Sequence, residues 1–214
     1  MVVLAACSLM FGGCADDHFE PQLPDLPTQP IVVLFDNDVH CAVDGYPMLV
    51  SLRNESLSRT SYVSTVSCGD FASGGLLGAI SKGEQIVRLM NYVGYDVVAL
   101  GNHELDYGMQ QMFALTEALE APTLCANLKN LQTNAHPYPA YHIIRYGDVD
   151  VAYLGLTTTT SGTVASLSDE QGHPLYSFMR ETFYENAQHF INEARKEGAD
   201  YVVALAHLGD SPKT

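Results

Sequence analysis

Four short apolar runs rich in β-branched residues, IVVLF (31–35), YVSTVS (62–67), DVVAL (96–100) and YVVALA (201–206), stop abruptly on DNDVH, CGD, GNHE and HLGD. Continuous apolar runs of this length read as strands covered on both faces, because a strand with one wet face alternates apolar with polar residues. Such strands need helices or a second sheet on either side, and the intervals between them supply both. SKGEQIVRLMNYVG (81–94) places Ile86, Val87, Met90 and Val93 on one helical face, with Ser81 and Glu84 at capping-box spacing. A helix is expected from about Met109 to Leu119, with Met109, Met112, Phe113, Thr116 and Leu119 on one side. Another is expected over roughly 180–196, with Phe183, Ala187, Phe190, Ile191 and Ala194 inward and Gly198 as its stop. TLCA (123–126) reads as a short strand, and YHIIRYGDVDVAYLGL (141–156) as a β-hairpin turning at Gly147-Asp148. Residues 157–177 show no period and read as a surface loop. Strands alternating with amphipathic helices predict a layered α/β fold, with mixed sheet pairing where the hairpin enters. At 214 residues, one domain with a real core is expected.

The formal charge of −15, from 10 basic and 25 acidic residues, argues against nucleic acid as a partner. It leaves room for a small phosphate ester if bound cations invert the local field. Of the five cysteines, Cys41, Cys68 and Cys125 lie outside the first 14 residues and form no C-x-x-C, so neither a disulfide framework nor a zinc knuckle is implied. They are expected to be small buried hydrophobes. The opening MVVLAACSLMFGGC (1–14) is too short to span a bilayer, which needs about 20 residues. Its FGGC resembles a bacterial lipoprotein signal, with Cys14 as the lipidated residue and the cell envelope as the destination. An ordinary apolar N-terminal strand is the alternative. Residues 15–30, with Pro21, Pro24, Pro27 and Pro30, read as an extended tether, and 31–214 as the folded domain.

The polar strand ends carry the chemistry. Asp38 and His40 follow the first strand, Asp70 the second, Asn102 and His103 the third, and His207 the last. The carboxyl ends of strands in an α/β sheet open into one crevice, where residues remote in sequence converge. Carboxylate, amide oxygen and imidazole together suit divalent manganese, zinc or iron, and thiolate is missing from the set. Asp70, at the turn that Gly69 permits, is the candidate bridge between two such ions. Two cations about 3.5–4 Å apart lower the pKa of a shared water and stabilise an in-line displacement at phosphorus. Of the other histidines, His136, His142, His173 and His189 fall in loop, hairpin or helix contexts without evident partners.

Taken in order, NDVH, GDFASGG, GNHELDYG and AHLGD resemble the metallophosphatase domain of the 5′-nucleotidase family, within the calcineurin-like phosphoesterases, over about Ile31 to Asp210. The resemblance implies an α-β-β-α sandwich with mixed sheets that hydrolyses a nucleotide-like phosphate ester by a hydroxide activated on two metals. It implies Asp38 and His40 on the first metal, Asp70 shared, and Asn102 and His207 on the second. His103 would stabilise the transition state, oriented by Asp106; the alternative for Asp106 is a cap on the following helix. The family's downstream Gly-His-x-His motif, which adds a ligand to each metal, does not occur in these residues, nor does the nucleoside-holding C-terminal domain. The chain is therefore expected to be the N-terminal portion of such an enzyme, incomplete at the C-terminus. A non-catalytic surface lipoprotein, or a remnant that keeps the fold, is the rival expectation.

Overall fold

The computed structural model describes residues 29–159 and 167–209. The leader expected at 1–14 and the tether as far as Thr28 lie outside the described residues. Strands β1 (Val32–Asp36), β2 (Val63–Ser67), β3 (Val97–Ala99) and β4 (Thr123–Leu124) form a parallel sheet in that order. After β5 (Leu128–Asn130), the hairpin of β6 (Tyr141–Tyr146) and β7 (Val149–Thr157) turns at Gly147, whose φ of 67° suits glycine. A short β8 (Tyr176–Phe178) returns to pair antiparallel with β5. The last strand, β9 (Tyr201–His207), runs parallel to β7, so the second sheet is mixed.

Side-chain alternation sorts these strands into layers. In β3, Val98 packs with Ile86, Met90 and Leu115, whereas Val97 and Ala99 point the other way, against Val151, Tyr153 and Leu205 of the second sheet. The helices on the first side are α1 (Gly45–Leu57), α2 (Gly75–Ser81), α3 (Glu84–Val93) and α4 (Met109–Ala118). On β7, Val149, Val151 and Tyr153 face the first sheet, and Ala152, Leu154 and Leu156 face α5 (Phe183–Lys196) through Ala187 and Ala194. The result is the expected α-β-β-α sandwich. Each large apolar side chain that closes between the layers contributes about 1.5–3 kcal/mol. Gly155 lets the sheets approach, since a Cβ there would lie 2.5 Å from the Leu124 carbonyl oxygen.

Several local expectations are corrected. Ser81 and Glu84 do not form a capping box: Ser81 ends α2, its hydroxyl donates to Leu77 O at 2.7 Å, and Gly83 at φ 88° precedes α3. Helix α1 was not legible because its apolar residues gather on no single stripe; Tyr46 is buried while Met48 and Leu52 are exposed. The stretch read as a structureless loop holds β8 and a bridge between Ser168 and Pro174. Cys41 and Cys125 are buried free thiols as expected, but Cys68 is only partly covered.

Candidate metal centre

Because β1, β2 and β3 are parallel, their carboxyl ends share one end of the sheet, and two main-chain bonds lock the loops that follow. Asp38 N–H donates to Gly69 O at 3.1 Å and His40 N–H to Asp70 O at 2.9 Å. Asp38, His40, Cys41 and Asp70 have φ of 63°, 45°, 62° and 59°, left-handed values at non-glycine residues. Such conformations cost roughly 1–3 kcal/mol each and persist only where the surroundings hold them.

The side chains converge on Asp70, which is buried. Its Oδ1 accepts the His103 N–H at 2.7 Å, while its Oδ2 lies 2.9 Å from His207 Nε2 and 3.7 Å from His40 Nε2. His40 Nε2 is also 3.0 Å from Asp38 Oδ1. The other His40 nitrogen, Nδ1, lies 3.2 Å from Ser73 O; a carbonyl only accepts, so Nδ1 carries the proton. That tautomer turns the Nε2 lone pair to the carboxylates, the arrangement usual for a histidine ligand. His207 Nδ1 is 3.1 Å from Asn37 Oδ1. Donor atoms of Asp38, Asp70 and His207 lie within 4.8 Å of one another, as do those of His40, Asp70 and His103. Asp70 is common to both triads. Asn102 sits beside them at the entry to a 3-10 turn (His103–Leu105), partly buried, and its side chain makes no capping bond.

His103 Nδ1 bonds Asp106 at 3.0 Å to Oδ1 and 2.9 Å to Oδ2, and its ring stands edge-on to His40 with centroids 5.0 Å apart. Burial opposes a charge on His103, but the Asp106 bond and the charges of Asp70, Asp106 and Glu104 outweigh it and raise its pKa. The same contest, with Asp70 as the main partner, raises the pKa of His207. Asp70 is held below the ordinary carboxylate range: burial pushes it up, but His207 and the His103 N–H and charges push it down further.

Sequence reasoning gives Glu104 no role. It is fully buried, and its carboxylate accepts from four main-chain N–H groups: Phe71 at 2.8 Å, Ala72 at 3.1 Å, Asp70 at 3.0 Å and Gly101 at 2.8 Å. No pattern in the chain separates this glutamate from a solvated one. The histidines expected to stand apart do so from this centre. His136 and His189 pack on Phe190 and His142 lies in β6, but His173 has a partner after all, Asp169 Oδ2 at 3.1 Å.

Residues 66–214 match the family model described as bacterial capsule synthesis protein PGA_cap. The chain belongs to this family. The PGA_cap match begins inside β2 and takes in Asp70, Asn102, His103, Asp106 and His207, leaving Asp38 and His40 upstream. The chain is also 28% identical over 200 residues to a snake venom 5′-nucleotidase of Gloydius brevicauda, covering 84% of this chain and 33% of that protein. With a 5′-nucleotidase of Vibrio cholerae it shares 27% over 222 residues, 97% of this chain and 39% of the other. It thus spans about a third to two fifths of the length of these curated relatives. Among solved structures, the calcineurin-like phosphoesterase YfkN of Bacillus subtilis superposes with a TM-score of 0.70 at 23% identity, over 85% of this chain and 63% of that one. At that identity the likeness speaks for the fold. The relatives and the fold together bear out the metallophosphatase resemblance.

The donor set fits divalent cations. Two carboxylates and three imidazoles face one another across a few ångströms, and among the described residues no Lys or Arg pairs with either carboxylate. Without a cation to share, Asp38 and Asp70 would repel, and the His40 Nε2 lone pair would face both.

Proposed function

We propose that this chain is a metal-dependent phosphoester hydrolase acting on a nucleotide-like phosphate ester. The observation that carries the reading is Asp70, a buried carboxylate shared by two groups of donors that arrive from four strand ends. In this reading Asp38 and His40 would hold one divalent ion and Asn102 and His207 the other, with Asp70 serving both. Two divalent ions bound there supply the charge that draws in phosphoryl oxygens and makes a water acidic at neutral pH.

The chain's own residues do the rest. Asp106 fixes the His103 ring through Nδ1, which leaves Nε2 to donate to a phosphoryl oxygen. The raised pKa of His103, from the Asp106 bond and the surrounding carboxylates, favours the protonated ring that such a bond needs. As water oxygen bonds to phosphorus and the ester P–O bond breaks, negative charge grows on the equatorial oxygens, and His103 stabilises it. The attacking water gives up one proton, the leaving oxygen takes one up from the solvent, and the products are the alcohol and a phosphate. Support for a nucleotide-like substrate comes from the 5′-nucleotidase relatives. Anchoring of Cys14 in a bacterial envelope rests on the sequence of the leader; among the described residues no helix is long and apolar enough to cross a membrane.

One observation favours a second reading, a non-catalytic lipoprotein that keeps the fold: the triads around Asp70 group Asp38 with His207 and His40 with His103, not the pairs that the two-ion assignment needs. Metal analysis after dialysis against Mn(II), Zn(II) or Fe(II), with hydrolysis of AMP and p-nitrophenyl phosphate on the 214-residue chain, separates the two. Two ions per chain and steady turnover, both abolished in Asp70→Ala, are expected. A chain that stays metal-free and inert in all three metals belongs to the second reading.

A further inference from the structure

A carboxylate buried as completely as that of Glu104 is costly unless every lone pair is used, and here the donors explain why it is tolerated. Three of them are consecutive, the N–H groups of Asp70, Phe71 and Ala72. Successive N–H groups converge on one anion when the chain takes a nest conformation, with a left-handed residue in the run. Asp70, at φ 59°, is that residue. The bond set and the unusual backbone at Asp70 are therefore one constraint: the Glu104 carboxylate is the anion that fills the nest.

The fourth donor gives the constraint its reach. Gly101 N–H, at the end of β3, bonds the same oxygen, Oε2, as Asp70 N–H, at the end of β2. One side chain thus clamps the loop carrying Asp70 to the loop carrying Asn102 and His103. With the main chain held, Asp70 Oδ1 is occupied by the His103 N–H and Oδ2 is aimed at His40 and His207. A cap on its own 3-10 turn would not account for this, because three of the four donors lie more than 30 positions away.

We infer that Glu104 is a positioning residue, whose buried carboxylate sets the orientation of Asp70 and, through it, the spacing of the donors around the proposed ions. The inference rests on the phosphoesterase reading only for the identity of what Asp70 binds.

Glu104→Gln tests it. The amide keeps the shape but turns an –NH2 toward N–H groups that need an acceptor. Calorimetric titration of Mn(II) into the full chain should show affinity lowered about 10- to 100-fold, the usual consequence of removing a group that orients a ligand. Leu154→Ala, in β7 against α5, is the control: it lowers Tm and leaves Mn(II) affinity unchanged. Wild-type affinity in Glu104→Gln, or an equal loss in Leu154→Ala, overturns the inference. If Glu104→Gln does not fold, Glu104→Asp, which keeps the charge and shortens the reach, enters the same comparison. If the wild-type chain takes up neither Mn(II), Zn(II) nor Fe(II), it is the phosphoesterase reading that fails, and the metal-free protein decides on Glu104. There the Phe71, Ala72 and Gly101 amides should lose hydrogen-exchange protection in Glu104→Gln well beyond the loss in Leu154→Ala; equal losses overturn the assignment.

Discussion

Gly101→Ala is a sharp test of the geometry, because it needs no substrate and no metal. A Cβ on Gly101 would lie 2.2 Å from Asp70 Oδ1, 2.4 Å from Asp70 N and 2.7 Å from Glu104 Oε2, all inside the 3.0 Å that Cβ contacts respect. None of these atoms is the free end of a flexible side chain. Asp70 N is main chain, and the two oxygens are tied by the bonds Gly101 N–H to Glu104 at 2.8 Å, Asp70 N–H to Glu104 at 3.0 Å and His103 N–H to Asp70 at 2.7 Å. Relieving the overlap must break or stretch at least two of them. Hydrogen bonds to charged groups are worth about 1.5–3 kcal/mol each, so the loss is roughly 3–6 kcal/mol. Against a typical total of about 5–15 kcal/mol, that is a large fraction of the stability. Urea unfolding of the metal-free chain followed by circular dichroism measures it. Gly45→Ala serves as the control: nothing lies within 4 Å of its Cβ position, it stands in α1, and it should gain about 0.4–1 kcal/mol. A loss below about 1 kcal/mol in Gly101→Ala would refute the claim that the ends of β2 and β3 are locked together.

Three further outcomes are expected. His103→Ala should lower kcat on the order of 10² to 10⁴-fold with both ions retained; loss of metal with unchanged residual rate would contradict its role. In the metal-free chain the His103 imidazole, followed by NMR, should titrate above its ordinary value, and Asp106→Asn should bring the midpoint down. Because the folded pKa is raised, the stability this pair adds is complete below about pH 6.5 and is lost as pH rises through the folded value, so Asp106→Asn should flatten that part of the profile. An unmoved midpoint in Asp106→Asn would show that their contact does not govern the histidine. Asp70→Ala should release both ions together; loss of only one would remove Asp70 from the shared position.

Much of the fold was legible because the strands announce themselves twice, by apolar runs and by the abruptness with which those runs end. The parallel pairing of β1, β2 and β3 follows from the helices between them, and the β6–β7 hairpin from alternation around Gly147. Where a segment is held by its surroundings rather than by its own pattern, reading failed. Helix α1 has no apolar stripe, β5 and β8 are three residues each, and Lys82 and Gly83 in left-handed conformations displaced the capping box expected at Ser81.

The same division runs through the site. The residue types that end each strand, Asp38, His40, Asp70, Asn102, His103 and His207, can be read from the chain alone, because ligand chemistry depends on side-chain identity and strand ends are marked by composition. Their meeting in one crevice was expected from those strand ends, but the route to it was not. His207 reaches Asp70 from the second sheet, and only the packing of two sheets around Tyr153 and Val97 brings that strand end across. Nor does any local pattern reveal that Glu104 points inward to hold the loop of Asp70. A nest of N–H groups exists only once the backbone has folded around its anion, so its occupant is a property of the tertiary structure and not of the sequence neighbourhood.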